Sequence, residues 1–171
     1  SYGQLYNHQT IVNNGSGNDP YTKLLLHMNN AGTSTTIDAS SNVYTVTANG
    51  NVIGTSTEIF SGGSAYFDGT TDYLSVPDSD DWDFGTGSFT IDGRVRFIST
   101  GAARFYAQFA DESNEIWLYY SGAGVINFAV DSGGTNIINL NSSWTPSAGV
   151  SYHWAVVKNS NPREDKVYPV R

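Results

Sequence analysis

The sequence lacks cysteine entirely, and only 14% of its 171 residues are charged. Without cysteine there can be no disulfide staple and no thiolate metal site. No run approaches about 20 apolar residues, so no bilayer-spanning segment is predicted. The first residues have neither a basic start nor an apolar core, so no signal peptide is predicted.

Basic residues are scarce, with 8 Lys and Arg against 16 Asp and Glu, which gives a net charge of −8. A negative field of this size repels polyanions, so neither nucleic acid nor an anionic membrane is expected as a partner. Aromatic residues reach 13%, and Gly, Ser, Thr and Asn are abundant. Strands prefer aromatic and β-branched residues and turns prefer Gly, Asn and Asp, so this composition predicts an all-β protein.

The first twenty residues differ in character from the rest. Residues 1–20 are polar, and NNGSGNDP (13–20) is rich in Gly, Asn and Ser, which predicts an N-terminal arm or linker. Such an arm is either a disordered leader or a segment that docks on a neighbouring subunit. Residues 21–171 have the length of a single domain.

Strand candidates recur roughly every 8 to 12 residues after the arm, which is the spacing of a sandwich or barrel. They are KLLLHM (23–28), VYTVT (43–47), NVI (51–53), SAYF (64–67), DYLSV (72–76), SFTIDGRVRFI (88–98), ARFYAQFA (103–110), EIWLYY (115–120), GVINFAV (124–130), NIINL (136–140) and YHWAVVK (152–158). The run 23–28 is apolar enough to be buried on both faces, and Asn49-Gly50 predicts a hairpin between its flanking strands. Short connections predict antiparallel pairing, and the mixture of one-faced and two-faced strands predicts two stacked sheets of jelly-roll type.

Four stretches carry a resemblance to a known family: DPYTKLLLHMN, IDASSN, SAYFDGTTDYLSVPDSDDWDFGTGSFTID and SYHWAVVK, in that order. Together they resemble the laminin-G-like, concanavalin-A-like jelly-roll domains of bacteriophage virion proteins and bacterial surface proteins. The resemblance implies two curved antiparallel sheets in a carbohydrate- or protein-binding module. It also implies calcium at a rim loop in some members, and glycan hydrolysis in some relatives.

Two departures from the family pattern stand out. Gly93 and Arg94 occupy positions where the family usually has an aromatic pair, which argues against sugar stacking at that point. After YHWAVVK the chain continues as NSNPREDKVYPVR, in which KVYPV only faintly resembles the family's next hairpin. Some of the closing C-terminal strands are therefore expected to be missing, and either a neighbouring chain covers the open edge or the sequence is a fragment.

Seven aspartates fall within residues 64–92 and pose the question of a metal site. Calcium needs six to eight converging oxygens, and the run has no EF-hand spacing, so turn and cap chemistry is favoured. Ser79 is expected to cap one helical turn that contains Trp82 and Phe84. If calcium does bind, the candidate ligands are Asp38, Asp78 and Asp80. No other cofactor is predicted.

Catalytic patterns are absent from the sequence. The E-x-D-x-x-E strand of glucanase relatives does not occur, and Asp111, Glu112 and Glu115 are assigned to a turn and the start of a strand. There is no G-x-S-x-G motif, and His27 and His153 lie within apolar strands, where a core or edge histidine is the default. The protein is therefore predicted not to be an enzyme.

Candidate ligand-binding residues are aromatic or cationic side chains beside polar groups: Trp117, Tyr119, Trp144, Arg94 and Arg96. A core position remains the alternative for each aromatic residue, and a solvated face is the alternative for the two arginines. The function expected is a non-enzymatic structural and binding module of a bacteriophage virion, with glycan affinity and other protein subunits as partners. The alternative is a secreted bacterial carbohydrate-binding or adhesion module with rim calcium, located outside the cell or on its surface.

Overall fold

A computed structural model of the chain describes residues 19–28, 37–56, 63–159 and 166–170. The predicted N-terminal arm lies outside these residues apart from Asp19 and Pro20. No helix in the described ranges is both long enough and apolar enough to cross a membrane.

The described residues form antiparallel strands and one short 3₁₀ helix, as the composition predicts. The strands are β1 (Thr47–Asn49), β2 (Ile53–Thr55), β3 (Ser64–Tyr66), β4 (Tyr73–Ser75), β5 (Phe89–Arg96), β6 (Ala103–Asp111), β7 (Asn114–Tyr120), β8 (Val125–Ser132), β9 (Thr135–Ser143), β10 (Ser151–Lys158) and β11 (Lys166–Val170). The 3₁₀ helix is Asp80–Trp82. Contacts divide the chain into a unit that ends at Asp83 and a unit that begins at Phe84, and each is described by itself.

The second unit is built from two antiparallel sheets. One has the strand order β11-β10-β5, and the other has the order β6-β7-β8-β9, a meander. Side chains from both sheets join one hydrophobic core, whose buried members are Phe97, Leu118, Tyr120, Ile126, Phe128, Trp144, Tyr152, Trp154, Val156 and Val167. The predicted β-sandwich is therefore confirmed, and its core lies between these two sheets.

The alternation of β5 places its apolar residues on the core side, as predicted. Burial alternates along the whole strand, with Ile91 and Val95 half-buried against the core and Arg94 exposed. Gly93 also faces the core, opposite Trp154 of β10. A Cβ on Gly93 would lie 2.9 Å from Cε2 of the Trp154 ring, and closer still to Cζ2. The indole of Trp154 therefore occupies the space of the side chain that β5 lacks.

The C-terminal segment contributes one strand to the second unit. KVYPV forms β11, which pairs antiparallel with β10 from His153↔Val170 to Val157↔Lys166. Val167 is buried in the core. The segment that faintly resembles the family's next hairpin therefore supplies one closing strand after YHWAVVK.

The first unit contains two small sheets, β1 with β4 and β2 with β3. The predicted hairpin across Asn49-Gly50 is wrong, because β1 and β2 flank this turn but pair with other strands. The turn still requires glycine at position 50, because its φ is 75°. The N–H of the adjacent Asn51 donates to the Asp72 carboxylate. This local turn signal was correct, but the long-range pairing was not.

The carboxylate of Asp38 joins two segments of the first unit. Its oxygens accept hydrogen bonds from the backbone N–H groups of Leu25, Ser40 and Tyr44 at 3.0, 2.8 and 2.8 Å, and from the Ser40 hydroxyl at 2.7 Å. Burial opposes the charged form, but these hydrogen bonds outweigh it and hold the pKa of Asp38 below its usual value. Of the predicted strand 23–28, the described residues show a single bridge, Leu26↔Asp38, and the Asp38 side chain takes the backbone donor of Leu25.

A second polar cluster surrounds Asp81 in the 3₁₀ helix. The Ser79 hydroxyl caps the helix by accepting from the Asp81 N–H at 3.2 Å, which confirms the predicted cap. The Asp81 carboxylate lies 2.7 Å from Lys23 Nζ and accepts from the Tyr44 hydroxyl at 2.7 Å. These contacts lower the pKa of Asp81, and the hydrogen bond from Lys23 has the largest effect. The dense aspartates of this stretch therefore serve turns, a cap and an ion pair.

Charge is divided unevenly along the chain. Residues 1–83 contain nine acidic residues and one basic residue, whereas residues 84–171 contain seven of each, which together make the 16 and 8 of the chain. The whole net charge of −8 therefore comes from the first half. The second unit has no net charge. The repulsion of anions that the total charge predicts therefore does not arise from the residues of this unit.

The space beside Gly93 provides a test of the core. We expect Gly93→Ala to lower the free energy of unfolding by about 1–3 kcal/mol, because the added methyl forces the Trp154 ring to move in a packed core. Urea unfolding followed by tryptophan fluorescence measures this change. Gly101→Ala is the matched control, since a Cβ there meets no atom within 4 Å. Equal midpoints for the two variants would show that Trp154 does not depend on this glycine.

The bonds of Asp38 provide a second test. Asp38→Asn is expected to cost about 1.5–3 kcal/mol of local stability, because hydrogen bonds to a charged acceptor are lost. Amide hydrogen exchange at Leu25, Ser40 and Tyr44 should accelerate at neutral pH. Since the folded-state pKa is lowered, the stabilisation is present above about pH 4 and is lost as the pH falls through the folded-state pKa. Asp78→Asn removes an equal charge at an exposed position, and similar acceleration in that variant would contradict the assignment.

Candidate functional site

The face of the β6–β9 sheet that points away from the core carries polar and aromatic side chains, and we name it the outer face. Antiparallel register aligns its residues in three rows across the four strands. The rows are Arg104, Tyr119, Asn127, Asn141; then Ala107, Trp117, Ala129, Asn139; then Phe109, Glu115, Asp131, Asn136. Two of the predicted ligand residues, Trp117 and Tyr119, therefore lie at the centre of a polar surface.

A β-bulge in β6 sets the position of Arg104. The register shifts between Arg104 and Tyr106, so Phe105 is the extra residue. Phe105 and Tyr106 both pack against the core although they are adjacent in sequence. Burial there raises the pKa of the Tyr106 hydroxyl to about 12. Because the bulge absorbs one residue, Arg104 remains on the outer face, opposite Tyr119.

The aromatic pair lies under this arginine. The ring centroids of Trp117 and Tyr119 are 6.0 Å apart with an interplanar angle of 65°, an edge-to-face arrangement. Arg104 Cζ lies 5.2 Å from the centre of the Trp117 ring, within the range of a cation–π contact. Trp117 Nε1 is buried and has no hydrogen-bond partner among the described residues. A buried donor without a partner costs about 1–3 kcal/mol.

Three asparagine side chains form an ordered amide cluster beside the aromatic pair. Asn127, only 6% exposed, donates through Nδ2 to Asn139 Oδ1 at 2.7 Å and to Asn141 Oδ1 at 2.5 Å. Asn141 Nδ2 donates in turn to Asn139 Oδ1 at 2.8 Å. Asn139 and Asn141 are exposed. Their amides are therefore held in fixed orientations at a solvent-facing surface.

Carboxylates occupy the third row. Glu115 of β7 lies directly opposite Asp131 of β8, and both are half-buried. Asp131 Oδ1 accepts from Asn136 Nδ2 at 2.7 Å. Phe109, on the neighbouring strand, is 65% exposed. The outer face thus has a cationic and amide end at Arg104 and an acidic end at Glu115.

The structure separates the other predicted ligand residues from this face. Trp144 is 7% exposed and packs against the rings of Phe97, Phe105, Tyr120 and Tyr152. This placement favours the core alternative for Trp144, since no ring face is left for a ligand.

The two predicted arginines lie on the other sheet. Arg94 and Arg96 are exposed on the side of β5 that faces away from the core. Arg96 Nε donates to the Gly149 carbonyl at 3.1 Å, and His153 of β10 lies 3.0 Å from Asp92 on the same side. Arg94 and Arg96 therefore do not join Trp117 and Tyr119 in one site, and they are consistent with a solvated polar row.

The candidate calcium ligands do not converge. Asp38 is 2% exposed, and both its oxygens already accept hydrogen bonds from protein donors. Asp78 caps the Ser79 N–H at 2.9 Å, and Asp80 is exposed in the 3₁₀ helix. Within the described part of the chain, no group of three His, Cys, Asp or Glu side chains is placed to hold a metal ion. The donor sets at these positions therefore do not fit calcium.

Sequence reasoning found the aromatic pair but missed Arg104 and the three asparagines. Asn139 and Asn141 recur with the period of two that puts side chains on one strand face, so this signal was available. The position of Arg104 was not available, because simple alternation along ARFYAQFA does not include the bulge.

Comparisons with known proteins agree with the fold. The profile of the concanavalin A-like lectin/glucanases superfamily matches residues 68–168. A solved structure, of part of an S-layer domain-containing protein from Clostridium thermocellum, superposes with a TM-score of 0.55 at 21% identity, and the match covers 80% of this chain and 68% of that one. No curated protein matches. The profile match spans more than half of the sequence, and with the antiparallel sheets described above it shows that this chain belongs to the concanavalin A-like lectin/glucanases superfamily.

Proposed function

We propose that the protein is a non-enzymatic carbohydrate-binding module whose ligand lies on the outer face of the β6–β9 sheet. The observation that carries this proposal is the Trp117–Tyr119 pair beside the ordered amides of Asn127, Asn139 and Asn141. Binding sites for small molecules typically join aromatic surface to a few fixed polar groups. This face has both.

Each component suits a sugar. The apolar face of a pyranose ring packs on an aromatic ring, and its hydroxyl groups exchange hydrogen bonds with planar amides. Because Asn127 already fixes Asn139 and Asn141, little side-chain entropy is lost when they bind.

The surface of a bacterial cell is the placement that we propose, in preference to a virion. Membership of a lectin-containing superfamily and the similarity to a part of an S-layer domain-containing protein support the surface alternative. Neither comparison supports a virion in particular. Association with other protein subunits stays a prediction, which light scattering of the purified protein can test. Calcium is not part of this proposal, because the Asp38 oxygens are already hydrogen-bonded.

Glycan binding itself is tested with the aromatic pair. Trp117→Ala is expected to weaken binding to glycans selected from an array by about tenfold or more, since a tenfold change needs only 1.4 kcal/mol. Titration calorimetry measures the affinity, and Tyr119→Ala should show a loss in the same direction. Tyr73→Ala is the control, as an aromatic residue of β4 in the first unit that is 55% exposed. An array on which no glycan binds, or on which Trp117→Ala binds unchanged, would refute the proposed site.

Hydrolysis is the second candidate, because Glu115 and Asp131 form a cross-strand carboxylate pair on the same face. Glycosidases use two carboxyl groups that flank the scissile bond. Against this role, Asp131 is held by Asn136, and the pair lies at the hairpin end of its strands. We expect that the wild-type protein releases no reducing ends from any bound polysaccharide, and that Glu115→Gln leaves this result unchanged. Release by wild type that disappears in Glu115→Gln would establish an enzyme.

A further inference from the structure

Arg104 is held by an aromatic ring and not by a carboxylate. Among the described residues the ion pairs are Lys23–Asp81 and His153–Asp92, and Arg104 takes part in neither. Its contact is with the face of Trp117, at 5.2 Å from the ring centre. A guanidinium group carries five N–H donors around its planar edge, and stacking on a ring leaves that edge free for hydrogen bonds.

The acids on the outer face do not neutralise this arginine. Glu115 and Asp131 belong to the third row, whereas Arg104 pairs with Tyr119 in the first. The first and third rows are four residues apart along β7, which is about 13 Å between their Cα atoms. The remainder of the first row consists of Tyr119 and the uncharged amides of Asn127 and Asn141. One end of the face therefore combines an exposed, unpaired cation with an aromatic ring and fixed amides.

The second unit carries no net charge that would repel an anion at this end. The whole net negative charge of the chain belongs to residues 1–83, and residues 84–171 are balanced. A carboxylate accepts two parallel hydrogen bonds from the edge of one guanidinium group, and this bidentate geometry is stronger and more directional than a contact between neutral groups.

We propose that the outer face selects glycans that bear a carboxylate, such as uronic acid polymers, and that Arg104 is the specificity-determining residue. In this arrangement the sugar ring stacks on Tyr119, its carboxylate pairs with the Arg104 edge, and its hydroxyl groups contact the exposed amides of Asn139 and Asn141. The inference rests on the glycan-binding function proposed above. It adds that the ligand is an anionic glycan and that Arg104 recognises its carboxylate.

Matched ligands separate the charge from the rest of the sugar. Oligogalacturonate, oligomannuronate and hyaluronan fragments are each compared with their carboxyl-reduced forms, which keep the linkage and ring but replace the acid by an alcohol. Titration calorimetry of the full chain should show at least one acid form binding tenfold or more tightly than its reduced form. Added salt should weaken binding of the acid form and leave the reduced form nearly unchanged.

Variants assign the selection to Arg104. Arg104→Gln should remove the tenfold preference, with the loss confined to the acid form, and Arg104→Lys should restore only part of it. If Arg104→Gln binds the reduced form with unchanged affinity, the Trp117–Tyr119 pair is still in place. Arg94→Gln is the control, since it removes the same charge from the outer side of the other sheet.

The outcomes distinguish this inference from the function on which it rests. Equal affinity of the wild type for the acid and reduced forms overturns selection by charge but leaves glycan binding in place. An equal loss for both forms in Arg104→Gln also overturns it, because the arginine then only supports Trp117. Binding of none of these ligands or of any glycan on an array overturns the proposed function, and the selection with it.

Discussion

The packing of Trp154 over Gly93 is the constraint on which the second unit depends. The indole fills the space of a side chain that β5 does not have, and it stacks on Phe105 with 5.3 Å between ring centroids and 23° between planes. Phe105 is the extra residue of the bulge in β6. Because Phe105 and Tyr106 both face the core, Arg104 is left on the outer face above Trp117. A glycine in one sheet is thus connected through two core rings to the arginine of the candidate site.

The same connection shows how the space beside Gly93 is filled. The sequence shows a gap where relatives usually have an aromatic residue, which suggests lost stacking or a lost ligand contact. The structure shows that the aromatic ring is supplied from the paired strand, by Trp154 directly opposite Gly93. Volume in a packed core must be filled, but the side chain that fills it can come from either strand of a pair.

The second half of the fold was predictable from sequence, because its strands are long and regular. Alternation in β5 and the meander β6–β9 were both predicted correctly, and the hydrophobic run YHWAVVK was correctly identified as a strand. The first half was less predictable. Its strands have three residues each, and Asn49-Gly50 indicates a turn without indicating which strands pair. The run 23–28 has an apolar pattern, but the Asp38 side chain competes for its backbone donor at Leu25.

The site was predictable only in part, for a related physical reason. Trp117 and Tyr119 share a face by simple alternation, and this was recognised. The partners that make the face suitable for a ligand come from three other strands, and antiparallel register decides which residues meet. A bulge changes that register by one residue and so decides which side of the sheet receives Arg104. Composition and spacing on one strand cannot supply this information, because the recognition surface is a property of pairing between strands.

The acidic residues illustrate how position determines the role of a charge. Asp38 and Asp81 have their oxygens committed to backbone, hydroxyl and ammonium donors in the first unit, and this satisfies them without a metal. Arg104 is in the opposite condition: its charge is exposed, and its described contact is an aromatic face that leaves its N–H edge free. Charges satisfied within the protein stabilise local structure, whereas a fixed charge without a counterion gains most from an external one. By this criterion Arg104, and not the aspartate-rich stretch, is the charged residue of the described chain best placed to bind a ligand.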